Sequence, residues 1–176
     1  MIILITGAPG VGKSTIASNL AKMINAIIIP QDSFYTIPFD NFPYDKGMDV
    51  EGENLIYWDD LCSTVKRVDM ATDVDIVVEG HLVACNPRLL RYADVIVDIY
   101  SPYPLVKKRF MNRYSDNYSI SQLDIKEQYF EEKTWPAYER YFDKFLVPLK
   151  EMDKAITIKP TIEDGTAEIL SFIKRN

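Results

Sequence analysis

The chain has 176 residues, 47% of them hydrophobic and 12% aromatic, which suits one domain around one sizeable core. Twenty Lys and Arg against 26 Asp and Glu leave a net charge of −6, a balance that disfavours nucleic acid or an anionic membrane as partner. No apolar run has the length of a membrane span, no basic segment precedes the apolar start, and Cys62, Cys85 and the single His81 form neither a disulfide framework nor a metal-ligand spacing.

In chain order, short runs rich in Ile and Val alternate with longer segments of helical period. The runs are Ile2–Thr6, Ala26–Ile29, Asp75–Val78, Val95–Ile99 and Ala155–Ile158. They are nearly continuous rather than alternating, the pattern of strands covered on both faces. Helices are expected over Ser14–Ile24 and over Asn54–Val68, where Leu55, Trp58, Leu61, Cys62 and Val65 share a face. Tyr103–Asn112 follows, and then Gln122–Lys144, with a break or kink expected near Pro136. Thr161, with Asp164 three residues on, is the expected cap of a last helix. The alternation predicts an α/β domain over 1–176, a five-stranded parallel sheet sandwiched between helices.

Between the first run and the first helix stand Gly7, Ala8, Pro9, Gly10, Val11, Gly12, Lys13 and Ser14, followed by Thr15. This fits G-x-x-x-x-G-K-[ST] in the strand-to-helix context that a phosphate-binding loop requires. Glycines let the backbone curl so that its N–H groups cradle anionic oxygens, and the helix N-terminus adds positive potential. Lys13 is expected on the β/γ-phosphates of a nucleoside triphosphate, and the Ser14 hydroxyl on Mg²⁺.

Ligands of an open parallel sheet sit beyond the carboxyl ends of its strands. Topology alone therefore brings Asp32, after the second run, and Glu79, after the third, to the same edge as Lys13 and Ser14. One carboxylate can take a proton from an acceptor hydroxyl while the other serves the metal; the plainer alternative for each is a turn cap. His81 reads as structural rather than catalytic. Helical spacing puts Arg109 and Arg113 on one face ahead of a polar stretch, so a lid around 113–120 can bring both to the transferring phosphates. Ser33–Asp60 carries seven acidic residues against Lys46 alone, with Phe34, Tyr35, Phe39, Phe42 and Tyr44 among them. A monophosphate acceptor needs cationic clamps. Aromatics with carboxylates suit an uncharged or cationic ring on a ribose, or else a satellite core under a long loop.

These residues resemble the uridine kinase and nicotinamide riboside kinase family of P-loop kinases. The resemblance rests on Gly7–Thr15, Gln31-Asp32-Ser33-Phe34-Tyr35, Asp49-Val50-Glu51, Val78-Glu79-Gly80, Arg109 with Arg113, and Tyr129-Phe130 followed by Trp135-Pro136-Ala137-Tyr138. It implies ATP and Mg²⁺ and a small-molecule nucleoside acceptor. It further implies Asp32 as general base toward the ribose 5′-hydroxyl, Asp49 on the 2′/3′-hydroxyls, Glu79 near the metal and the lid arginines on phosphate. Phe34 and Tyr35 are expected at the acceptor. A cytoplasmic monomer or homodimer is expected, with no nucleic-acid or membrane partner. A uridine or cytidine kinase is the enzyme alternative. A nucleotide-dependent switch or ATPase module is the alternative of another class, disfavoured by the lack of an Asn-Lys-x-Asp motif.

Overall fold

The computed structural model describes residues 1–37, 51–114, 119–159 and 162–175, the last without the side chains of 162–164. All five apolar runs are strands: β1 Ile2–Gly7, β2 Ile27–Pro30, β3 Ile76–Glu79, β4 Val95–Ile99 and β5 Ala155–Ile158. They form one parallel sheet in the order β2-β3-β1-β4-β5. Ile3, Leu4, Ile5, Val77, Ile96 and Val97 are fully buried, which is why these strands read as unbroken apolar runs. Each such side chain stabilises the fold by roughly 1.5–3 kcal/mol on transfer from water. The central β1 is flanked by β3 and β4, so the loop that follows it opens at the point where strand order reverses.

The helices are α1 Lys13–Ile24, α2 Trp58–Ala71, α3 Pro87–Tyr92, α4 Tyr103–Asn112, α5 Ile120–Tyr129, α6 Trp135–Tyr141, α7 Val147–Leu149 and α8 Ile162–Ile173. Among the described residues, none is long and apolar enough to cross a membrane. Three differ from the sequence reading. First, α2 starts at Trp58 rather than Asn54. The preceding residues run beside Phe34–Thr36 instead, with Thr36 N–H donating to Leu55 O and Tyr57 N–H to Phe34 O, both at 2.8 Å. Second, α3 had no counterpart, although its start is legible: the Asn86 side chain accepts from the Arg88 and Leu89 N–H groups, and Pro87 takes the first turn. Third, of the break or kink expected near Pro136, the helix shows no break but a local distortion. Helical backbone runs from α5 through α7, widened into π-turns at Phe130–Thr134 and Phe142–Leu146. Each π-turn is followed by an X-Pro pair, Trp135-Pro136 and Val147-Pro148. A proline inside a helix lacks an N–H and clashes with the carbonyl four residues back. The i→i+5 bonds from Trp135 N–H to Phe130 O and from Val147 N–H to Phe142 O widen the helix just ahead of each ring.

Trp135 meets Tyr103 edge-on at 4.9 Å, and Phe130 lies 4.7 Å from Phe110. This aromatic seam fixes α4 against the long helix and so sets where Phe110 and Arg113 stand. Thr161 and the Asp164 side chain, the expected cap of α8, lie outside the described residues.

Candidate active site

The loop between β1 and α1 takes left-handed backbone at Gly10 (φ 85°) and Gly12 (φ 106°). At Gly10 a Cβ would stand 3.1 Å from the Phe110 nitrogen, so the loop seats directly on α4. Lys13 Nζ donates to Ala8 O at 3.0 Å, and Arg109 Nη1 donates to Val11 O at 3.1 Å. The first turn of α1 follows Gly12, which offers no side-chain cap, so its N–H groups are available to an anion. Burial pulls the Lys13 ammonium below its ordinary value, while Glu79, Asp32 and Glu51 pull it back up.

Two carboxylates face that lysine. Glu79 closes β3, is buried, and accepts from Ser14 Oγ at 3.1 Å. Its carboxyl is pushed up by burial against the opposing pull of Lys13. Asp32 lies in the short turn Gln31–Phe34 that follows β2. That turn is pinned from below: Gln31 is buried, its Oε1 accepts from Leu82 N–H at 2.9 Å, and a Cβ on Gly80 would meet the Gln31 Cβ at 2.4 Å. Asp32 is exposed toward the cleft, yet desolvation by the surrounding walls pushes its carboxyl up, opposed by Lys13 and Arg113. The Ser14 hydroxyl and Glu79 carboxylate make a hard-oxygen pair beside the phosphate loop, which fits Mg²⁺.

The far wall is built from three separate segments. Thr134 Oγ1, at the end of the first π-turn, donates to Glu51 Oε1 at 2.7 Å. Glu51 Oε2 lies 3.5 Å from His81 Nε2. The Tyr35 hydroxyl is also 3.5 Å from that nitrogen, and the two rings stack with centroids 6.4 Å apart. Burial, with Lys13 nearby, takes His81 down to about 3, so the imidazole is neutral at any physiological pH.

Lys13, Ser14, Asp32, Tyr35, Glu79 and Arg113, all expected at the site, line a single cleft of about 630 Å³ with Pro9 and Gly10. Ala8, Val11 and Gly12 shape the loop, Gly7 ends β1, and Thr15 is an exposed residue of α1. Two expectations change. Arg109 does not share the cleft with Arg113; it braces the Val11 carbonyl. Phe34 packs against the core rather than lining the cleft, and Tyr35 also joins a satellite cluster with Ile37 and Leu55 around Tyr129. Asp49, Phe39, Phe42 and Tyr44, and most of the expected lid at 115–118, lie outside the described residues. Sequence reasoning missed Thr134 and Phe110, gave Glu51 no role of its own and read His81 as structural. The acidic cluster pointed to Glu51, while nothing in the residue pattern marks a threonine that a π-turn aims inward.

Parallel sheet, strand order, phosphate loop and facing carboxylates define a P-loop α/β phosphotransferase fold. A family model described as AAA domain matches residues 3–135, and the chain belongs to that family. It is 28% identical over 137 residues to a cytidylate kinase of Pyrobaculum neutrophilum, covering 73% of this chain and 68% of the relative. It is 30% identical over 115 residues to a putative adenylate kinase of Pyrococcus abyssi, covering 64% of this chain and 56% of that relative's length. In fold it is similar to a gluconokinase from Sinorhizobium meliloti 1021, with TM-score 0.63 and 15% identity over 98% of this chain and 91% of the other. It also matches a putative fructose transport system kinase from Silicibacter sp. TM1040, with TM-score 0.57 and 19% identity over 80% and 84% of the two chains. The chain is a P-loop kinase of the small-molecule or nucleotide kind, and the sequence resemblance is supported at that level.

Proposed function

We propose that the protein transfers the γ-phosphate of ATP to the ribose 5′-hydroxyl of a nucleoside, with nicotinamide riboside or a similar nucleoside as acceptor and uridine or cytidine as alternatives. The observation that supports this reading best is the charge of the cleft opposite the phosphate loop. Asp32, Glu51 and Glu79 stand there with Tyr35 and His81, and among the described residues Arg113 is the cation facing them across the cleft. A hydroxyl acceptor needs a base and hydrogen-bond acceptors, whereas a phosphorylated acceptor needs several cations. Asp32 orients the hydroxyl and takes its proton as the bond to phosphorus forms. Lys13, the loop N–H groups and Arg113 stabilise charge on the equatorial phosphate oxygens. Ser14 and Glu79 would hold Mg²⁺, which when bound neutralises phosphate charge.

The names of the two curated relatives favour a second reading, a kinase of nucleoside monophosphates. ADP release from Mg·ATP separates the two across nicotinamide riboside, uridine, cytidine, their monophosphates and water alone. The expected result is turnover with nucleosides and none with monophosphates. Efficient use of CMP or AMP with nucleosides inert overturns the proposal, and equal turnover in water points to an ATPase module.

A further inference from the structure

The far wall of the cleft has a construction that phosphoryl transfer itself does not require. Glu51 precedes α2, His81 follows β3, and Thr134 ends a π-turn of the long helix, so three distant segments converge on one carboxylate. Thr134 is 1% exposed, buried in a helix whose neighbours Glu131 and Glu132 are exposed. The extra residue of a π-turn shifts the helical register by roughly 100°. That shift matters for which side chain after Phe130 meets Glu51. Both Glu51 oxygens are positioned by this chain, one from Thr134 at 2.7 Å and one beside His81 at 3.5 Å. Glu51 also lines the cleft, so its carboxylate, an acceptor-only group, is within reach of a ligand there. Beyond Glu51, His81 and Thr134 a narrow recess lined by Leu82, Tyr138 and Tyr141 adjoins the cleft.

We propose that Glu51 is the specificity-determining carboxylate of this kinase, positioned by Thr134 and His81. It accepts hydrogen bonds from the hydroxyls of a neutral or cationic polyhydroxylated acceptor and repels a phosphorylated one. The inference rests on the hydroxyl-acceptor reading above. Like charge beside a bound phosphate opposes binding, whereas a hydroxyl donating to a carboxylate gains a charge-assisted bond. His81 Nε2 stands 3.5 Å from Glu51 Oε2 and fixes the orientation of the carboxylate from that side. Glu51 touches the acceptor rather than the reacting atoms, so its loss weakens acceptor binding and leaves the chemical step nearly intact.

The test compares wild type, Glu51→Gln, Thr134→Val and Thr134→Ser. Acceptor KM and kcat are measured with nicotinamide riboside and uridine at saturating Mg·ATP, alongside KM for ATP. Glu51→Gln is expected to raise acceptor KM by about tenfold or more, with kcat within about threefold and KM for ATP unchanged. Thr134→Val is expected to move acceptor KM the same way by about three- to fivefold, and Thr134→Ser to restore it. Thermal unfolding checks that each variant folds; if Glu51→Gln does not, the Thr134 pair carries the test. An acceptor KM within twofold of wild type in Glu51→Gln, or Thr134→Ser as impaired as Thr134→Val, overturns the inference alone. A wild type that uses only monophosphates overturns the hydroxyl-acceptor reading and the inference together.

Discussion

In the proposed reaction Lys13 and Asp32 carry opposite halves of the chemistry, and burial acts on their ionisation in opposite directions. Burial weakens the ammonium's hold on its proton, and the carboxylates facing it offset that only in part. Lys13→Ala removes a preorganised donor to the transferring phosphate, so turnover should fall by ~10²-fold or more. Steady-state kinetics within a few-fold of wild type would remove Lys13 from the mechanism. Asp32→Asn keeps size and reach but removes basicity. Nucleotide and acceptor should still bind within about tenfold of wild type while kcat falls by ~10²–10⁴. If Mg²⁺ affinity collapses and kcat survives, Asp32 serves the metal and the base lies elsewhere. The pH profile gives an independent check. The Asp32 carboxyl is raised by desolvation, and a base must be unprotonated to work. The acid limb of kcat should therefore have its midpoint above the ordinary Asp value of 3.8, and Asp32→Asn should lack that limb.

Among the elements, what the sequence made legible depended on whether local pattern or tertiary contact decided the outcome. The five strands and α4 could be read almost to the residue because buried strands are apolar throughout and Tyr103–Asn112 is bounded by its own turn chemistry. The start of α2 could not, because Leu55 and Tyr57 bond to Thr36 and Phe34, about twenty residues away in sequence. The phosphate loop, Asp32 and Glu79 were legible because motif and topology place them. The Glu51–Thr134 contact was not, since it depends on the helical register set by the π-turn at Phe130–Thr134. Arg109 and Arg113 show the same limit: equal spacing on α4 does not reveal that only one reaches the cleft. Arg113→Ala is accordingly expected to lower kcat with little change in acceptor KM. Arg109→Ala should instead weaken ATP binding by loosening the loop at Val11, and equal effects on kcat from both would reject this division. Gly80→Ala tests the seat under Asp32. The added methyl meets Gln31 at 2.4 Å, so the turn bearing Asp32 must shift. A displacement near 1 Å costs about 10²-fold in a positioned reaction, and kcat should drop by that order while ATP still binds.

Across the whole molecule, the sheet carries a buried acid that belongs to stability rather than to the cleft. Asp98 sits mid-strand on β4, in register with Thr6 of β1 on one side and Thr157 of β5 on the other. It is 4% exposed; its Oδ2 accepts from Thr157 Oγ1 at 3.5 Å, and its Oδ1 has no partner among the described residues. Lys150 and Thr157 border the adjoining cavity of about 340 Å³. Desolvation pushes Asp98 up to about 6 from an ordinary 3.8, with Lys150 and Thr157 opposing. The folded state therefore binds this proton more tightly than the unfolded chain does. Its contribution to stability is fully present below pH 3.8 and is lost as pH rises through about 6. The loss amounts to at most ~3 kcal/mol. Asn at position 98 keeps the shape and cannot ionise. Asp98→Asn should match wild type within about 0.5 kcal/mol near pH 4 and exceed it by about 1–2 kcal/mol near pH 8, as read from denaturant unfolding at the two pH values. A difference that does not grow with pH would mean that another group, not Asp98, carries the ionisation.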